Sequence, residues 1–326
     1  MIKMSTFVHA IIDGEEIDNM AHFYNEKTTI KDLCGDKDVG KYMLYLYYPK
    51  RYLDNVYNQT VVESAKYGLV GFNFLKKMII EGKVKQYFVD EKKPDVSIIH
   101  VSHISNSKAI FILSGGGLYS VCHGIEGLPI AARLFEKGFD VILVTYSIDD
   151  GGYKDGPLDD LASSIRYCLN HQSELNINME NYSILGCSAA GFVTAHFGTT
   201  LHGYKKYNLP KPGLLGLVYP VITLRTCLNE QTAIYCLRRE YSEENLHIWS
   251  VDEIVDADYP KTFIIHSKDD PIVNFDNAER MVYSLEKYHI PYFFKAYEKG
   301  GHGFSVSDDE QPKGWIDLFV DYLLNE

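Results

Sequence analysis

The sequence predicts an α/β fold: a mostly parallel central sheet flanked by helices on both faces, preceded by a helical N-terminal extension. Three observations carry that expectation. From about Val96 onward, short β-rich runs alternate with segments whose apolar residues recur at helical spacing, the pattern of parallel strands joined by crossover helices. The run Asp140–Tyr146 (DVILVTY) is almost continuously apolar, as in a strand buried on both faces. Glycine and polar turns punctuate these runs where each element must stop.

In chain order, Val96–Val101 and Ala109–Leu113 are β-rich runs separated by the polar turn Ser105-Asn106-Ser107-Lys108, and the second leads into Gly115, Gly116 and Gly117. A helix is expected next, with Pro129 near its start, where a missing N–H is harmless, and Gly138 at its stop. Asp140–Tyr146 follows as a strand. After Pro157, Leu158, Leu161, Ala162, Ile165, Cys168 and Leu169 share a helical face. Tyr182–Leu185 reads as a strand, Ala189–Thr200 as a helix, and Leu214–Val221 and Thr262–His266 as further strands. Ala278, Met281, Val282, Leu285 and Tyr288 mark another helix, Tyr292–Tyr297 a strand, and Trp315, Ile316, Phe319, Tyr322 and Leu323 the last helix.

Residues 96–326 are thus expected to form one α/β domain, and residues 1–95 a partly helical extension or cover. In the extension, Val62, Ala65, Leu69, Phe72 and Ile79 suggest one long helix, while Lys41–Tyr48 fits helix or strand. Residues 223–258, rich in charge between two strands, read as a small cap insertion. Both segments are candidates to cover a pocket at the carboxyl ends of the strands, with packing at the sheet edge as the alternative.

Composition narrows the partners. The 326 residues carry 44 acidic and 32 basic side chains, a net charge of -12. Nucleic acid and anionic membrane surfaces both require a basic face, so neither is expected. A hydrophobic share of 46% against 23% charged suits a sizeable core. The apolar stretch Phe7–Ile12 ends at Asp13 before a signal-peptide core develops. Ala109–Cys122 and Gly213–Leu224, the longest uncharged stretches, fall short of the ~20 apolar residues of a membrane span. Six cysteines without paired spacing read as reduced thiols. A cytoplasmic protein is expected, and assembly into a homo-oligomer is compatible with this composition.

Four segments bear chemistry. Gly186-Cys187-Ser188-Ala189-Ala190-Gly191 lies between a strand and a helix. A nucleophile elbow is such a turn, so tight that its flanks need small residues, and it lifts the serine oxygen above the sheet at a helix N-terminus. The usual motif is G-x-S-x-G; here Ala190 holds the last position and glycine falls at Gly191. Ser114-Gly115-Gly116-Gly117 follows a strand directly and can turn backbone N–H groups towards a reacting carbonyl, as in HGGG-type oxyanion loops, with serine in place of histidine. A phosphate loop would need GxGxxG or a following Gly-Lys-Ser/Thr, and neither is present. His266-Ser267-Lys268-Asp269-Asp270 presents two carboxylates after a strand, and Gly300-Gly301-His302-Gly303 carries an imidazole just past the last strand. Serine, acid, histidine is the chain order of a nucleophile, its orienting acid and its base on this architecture. Spacing alone leaves Asp269 and Asp270 open.

These motifs, with SGGGLYSVC followed by EGLPIA, GCSAAG, YPVIT, HSKDDPIV and GGHGF, resemble the acetyl-esterase/lipase-like branch of the α/β-hydrolases, related to the BD-FAE and hormone-sensitive-lipase-like esterases, from about Ile98 to the end. The resemblance implies an α/β-hydrolase fold and a serine esterase acting on small-molecule esters of short acyl groups, acetylated sugars among them, with no metal and no organic cofactor. It implies Ser188 as nucleophile and His302 as base. Its H-G-x-x-D-x-x-V pattern, read as His266–Val273, places the acid at Asp270, leaving Asp269 to cap the helix near Asn274. The oxyanion donors fall on the backbone of Gly116, Gly117 and Ala189. Two other readings share the sequence: an amidase or peptidase of the same fold, and a binding protein that retains the fold without turnover.

Other polar residues read as structural. His100 and His103, three apart on a strand, face opposite sides and chelate poorly. His123, close to the glycine loop, is expected as a polar loop residue, with a place in the pocket lining as the alternative, and Cys187 as a small buried one. Arg225 and the pair Arg238-Arg239 are expected on a solvated charged face.

Overall fold

A computed structural model of the protein describes residues 23–103, 107–148, 156–225, 242–307 and 311–325. Among them eight strands build one sheet: β1 (Val84–Phe88), β2 (Ser97–Val101), β3 (Ser107–Leu113), β4 (Asp140–Thr145), β5 (Ile177–Cys187), β6 (Leu214–Val218), β7 (Thr262–Ser267) and β8 (Tyr292–Tyr297). Across the sheet the order is β1-β2-β4-β3-β5-β6-β7-β8. β2 runs antiparallel to both neighbours, β1 and β4, and from β4 to β8 every pairing is parallel. The chain dictates this: the helices Leu128–Glu136, Gly156–Asn170, Ala189–Phe197 and Asp276–Lys287 lie between consecutive parallel strands, and parallel pairing needs such crossovers. The mostly parallel sheet is the one expected from the strand–helix alternation, and the architecture is the α/β-hydrolase fold that the resemblance implies.

The period of two in the strands sorts the core into two layers. Phe111, Ile142, Val144 and Ile264 face one layer, where Leu161, Ile165, Phe192 and Met281 of the helices 156–170, 189–197 and 276–287 cover them. Ile110, Ile112, Val141, Leu143, Phe263 and Ile265 face the other. There the covering side chains are Leu134 of the helix 128–136, Trp315 and Phe319 of the helix Trp315–Leu324, and Leu33, Phe72 and Leu75 of the N-terminal helices. Each such side chain, fully buried, contributes about 1.5–3 kcal/mol of transfer free energy. The helices from Ile30 to Ile80 therefore pack as part of the sheet's cover. Their ends also reach two loops at the carboxyl edge: Tyr48 and Val121 exchange backbone hydrogen bonds (3.2 and 2.7 Å), and Tyr67 donates its hydroxyl to Ser307 Oγ at 3.1 Å.

Several local expectations change. The long helix expected around residues 62–79 is two, Val61–Ser64 and Gly68–Ile80. Thr60 and Glu63 form a capping box that starts the short one, and Ala65, extended at φ −157°, ends it. Lys41–Tyr48 resolves as helix, a 3₁₀ turn at Gly40–Tyr42 and a turn of α-helix at Met43–Leu46. β1 had no sequence signal, because this half-exposed edge strand (VKQYF) mixes charged and aromatic residues without alternation. β5 begins at Ile177, earlier than Tyr182. Much of the expected cap insertion, residues 226–241, lies outside the described residues, as does Met1–Ala21 with His22. Among the described residues no helix is long and apolar enough to cross a membrane.

Candidate active site

β5 ends at Cys187 and a helix begins at Ala189, so the whole reversal is made at Ser188, with φ 55° and ψ −122°. A positive φ costs an L-residue on the order of 1–3 kcal/mol and persists only where its surroundings hold it. Three backbone hydrogen bonds hold it here. Ser188 N–H donates to Val218 O (2.9 Å), and Ser188 O accepts from Gly191 N (2.9 Å) and Val221 N (3.1 Å). A Cβ at Gly186 would lie 2.2 Å from Thr194 Oγ1, and one at Gly191 would lie 2.5 Å from Pro220 Cβ. Ala190 itself is fully buried. The glycine absent from position 190 is thus needed at 191, where the helix crosses the chain leaving β6.

Ser188 Oγ lies 2.8 Å from His302 Nε2, and His302 Nδ1 lies 2.7 Å from Asp270 Oδ2. An ionised carboxylate can only accept, so the proton sits on Nδ1, and Nε2 turns a lone pair to the serine hydroxyl. Asp270 also faces His266 Nε2 (3.1 Å) through Oδ2, while Oδ1 accepts from the amides of Ile272 (2.8 Å) and Val273 (2.9 Å). Burial alone would push this carboxyl up. The hydrogen bonds from His266 and His302, the charge that His302 carries when protonated and the Val273 amide outweigh it, holding Asp270 well below the usual carboxylate range. Gly301 (φ 63°) and Gly303 (φ 73°) flank the imidazole in a conformation that glycine adopts without strain. Asp269 does not cap the following helix; its Oδ1 accepts from Gly301 N (2.8 Å) and pins the histidine loop, while Asn274 Oδ1 takes the amide of Asp276.

The glycine loop packs on the serine itself. A Cβ at Gly115 would stand 2.8 Å from Ser188 Cβ, and one at Gly116 (φ 130°) would stand 2.3 Å from Ser120 O. Among the described residues the amides of Gly116, Gly117 and Ala189 have no acceptor. They are the donors that could meet a developing oxyanion beside Ser188.

Behind this loop lie two groups whose roles the sequence did not disclose. His123 is not a loop residue but opens the helical turn His123–Gly127. It is fully buried, with Nε2 3.1 Å from Val144 O and Nδ1 2.8 Å from Ser114 Oγ. The carbonyl can only accept, so Nε2 is protonated and the Ser114 hydroxyl donates to Nδ1. Burial lowers the imidazole pKa to about 4, against the help of that carbonyl, so the ring is neutral near pH 7. Glu126 is also buried. Its Oε2 accepts from Gly115 N at 2.7 Å and its Oε1 from the Tyr219 hydroxyl at 3.1 Å. The Tyr219 ring lies 4.9 Å from that of His302. An acidic residue at the head of a helix ordinarily reads as solvated, so no sequence signal placed Glu126 inside.

The remaining polar groups do not join the site. Asp140 binds both His100 Nε2 (3.1 Å) and the backbone amide of His103 (2.8 Å). Cys187 is buried, which pushes its thiol well up. Arg225 pairs with Glu243 (3.0 Å) and Glu253 (2.8 Å). Arg238 and Arg239 lie outside the described residues. Among the described residues no cluster of three His, Cys, Asp or Glu is arranged to hold a metal ion.

Comparison with known proteins bears on this arrangement. The model of the prolyl oligopeptidase family matches residues 146–326, more than half of the chain. The chain is 26% identical over 215 residues to endo-1,4-beta-xylanase B of Butyrivibrio fibrisolvens, an alignment covering 63% of this chain and 34% of that protein. It therefore spans about a third of that relative's length. Among solved structures, an acetyl ester-xyloside bifunctional hydrolase from Caldicellulosiruptor lactoaceticus is 25% identical, with 69% of this chain and 86% of that one covered at a TM-score of 0.61. A carboxylesterase from Lactobacillus plantarum, 18% identical, shares the fold at a TM-score of 0.63, covering 74% of this chain and 96% of that one.

Proposed function

The chain belongs to the prolyl oligopeptidase family, and from that premise we propose that it is a serine hydrolase cleaving short-chain carboxylic esters, acetyl esters of sugars among them. The observation that carries this reading is the unbroken hydrogen-bonded series Ser188–His302–Asp270 at the carboxyl edge of the sheet. In the proposed mechanism Ser188 Oγ attacks the acyl carbon while His302 Nε2 takes its proton. Asp270, ionised and buried, keeps the imidazole in the required tautomer and stabilises the imidazolium. The amides of Gly116, Gly117 and Ala189 receive the oxyanion, each such donor being worth about 3 kcal/mol in the transition state. His302 then protonates the leaving alcohol, and a water, activated by the same imidazole, releases the acid.

An acetyl ester is preferred because one matched hydrolase acts on acetyl esters and xylosides by its name, and the matched relative is a xylanase. The family match also favours a second reading, cleavage of an amide or peptide bond. Rates on p-nitrophenyl acetate and butyrate, an acetylated xyloside and an aminoacyl p-nitroanilide separate the two. Ester turnover is expected to dominate, and to fall by at least about 10³-fold in Ser188→Ala without loss of folded protein. Undiminished turnover in that variant would remove the nucleophile assignment. Faster amide than ester cleavage would favour the second reading.

A further inference from the structure

A buried carboxylate is costly unless every oxygen is met by a donor. Glu126 is 6% exposed, and both of its oxygens are met by groups of the catalytic surround. Leucine would fill the same volume without the desolvation cost, so packing does not account for the carboxyl. Its two partners do. Gly115 is the first glycine of the loop and lies against Ser188. Tyr219 follows β6 directly, takes a strained φ of 39°, donates its amide to Ile265 O at 2.8 Å, and packs its ring on His302 and, at 4.6 Å, on Phe304. Tyr219 and Cys187, the residue before the serine, also interact through their side chains. Glu126 is thus joined to the glycine loop, to the wall behind the imidazole and, through Tyr219, to the nucleophile turn.

We propose that Glu126 is a positioning residue: its carboxyl clamps the Gly115 amide to the Tyr219 hydroxyl, and so fixes the spacing between the oxyanion donors and the Ser188–His302 pair. This rests on the reading of Ser188 and His302 as reacting groups. The clamp is buried behind the loop. It acts on the loop whose donors strengthen their hold as negative charge develops, so its loss weakens transition-state binding and leaves substrate binding nearly unchanged.

The test uses the full chain and p-nitrophenyl acetate, with active sites titrated by a fluorophosphonate so that rates are expressed per competent serine. Glu126→Leu removes both arms, and kcat is expected to fall about 10–100-fold with KM within about 3-fold. Glu126→Gln keeps an acceptor oxygen for Gly115 and an amide for Tyr219, and is expected to retain kcat within about 3-fold. Tyr219→Phe cuts one arm only, and its kcat should fall to an intermediate level at unchanged KM. A role limited to stability would lower the melting temperature and the titrated fraction, and would leave kcat per titrated site alone. The proposal is overturned if Glu126→Leu keeps wild-type kcat per site, if Glu126→Gln is as impaired as Glu126→Leu, or if the loss appears in KM alone. Should Glu126→Leu not fold, a wild-type kcat in Tyr219→Phe overturns it equally. Failure of the underlying reading looks different: the wild-type protein itself would not be labelled at Ser188.

Discussion

Gly115→Ala tests the contact on which the site's spacing depends. Gly115 has no positive φ, so alanine meets no backbone objection and the effect is one of space. The new Cβ would stand 2.8 Å from Ser188 Cβ, 2.9 Å from Cys187 O and 3.3 Å from Glu126 Oε2. Carbon atoms pack at about 3.5–4.0 Å, so the loop or the serine must yield by roughly 0.7 Å. If the serine yields along its bond to His302, the 2.8 Å separation opens to about 3.5 Å, beyond useful hydrogen-bond length. If the loop yields, the Gly116 and Gly117 amides leave the position an oxyanion would take. Either movement approaches the 1 Å misplacement that costs about 10²-fold in rate, and overpacking costs about 1–3 kcal/mol in stability. The expected outcome is a fall in kcat/KM for p-nitrophenyl acetate of about 30–100-fold, slower fluorophosphonate labelling, and a lowered urea midpoint. A variant with kcat/KM within about 3-fold of wild type and an unchanged midpoint would show that the loop does not rest on the serine.

Other substitutions probe the acid and the buried histidine. Asp270→Asn leaves a side chain of the same size but removes the charge that holds the imidazole tautomer, and kcat should fall by about 10³–10⁴-fold. The same variant reports on acid stability. Asp270 is held below its ordinary carboxylate range in the fold, so it stabilises the protein above the unfolded value of about 4, and this contribution fades as pH falls below it. Stability measured from pH 6 to 2 should therefore drop less steeply in Asp270→Asn, and an equal slope would count against the assigned ionisation. Ser114→Ala leaves the buried Nδ1 of His123 without its donor, which should cost about 1–3 kcal/mol by urea unfolding; a cost near zero would contradict the tautomer deduced for His123.

Much of the fold was legible because its signals are local. The strand cores of β2 to β8 show in runs such as DVILVT and TFIIHS, and helical faces show in residues three and four apart. β1 was missed because an edge strand with few buried positions carries no pattern to read. Of the N-terminal helices only the one around residues 62–79 was readable as helix, and not as a layer of the core, since Phe72 and Leu75 join one buried cluster with Ile110 and Leu143 only through the tertiary packing. In the candidate site, Ser188, His302 and the aspartate pair each stood beside a strand end in a glycine- or turn-rich segment. Glu126 and Tyr219 head the runs EGLPIA and YPVIT, yet nothing there marked their roles, because what singles them out is burial beside partners 11 and 93 residues from Glu126 in the chain.

Chain order and local pattern were enough, on their own, to identify parallel strands, crossover helices and the turns where chemistry can be displayed, because these follow from backbone preference and short-range periodicity. Which carboxylate meets the imidazole was a matter of angle rather than spacing: Asp269 and Asp270 are neighbours, and the turn after β7 sends one to Gly301 and the other to His302. The same holds for the serine at 114, whose hydroxyl finds in His123 a partner nine residues on. Contacts between segments distant in sequence depend on how buried surfaces fit together, and no stretch of residues encodes that fit by itself.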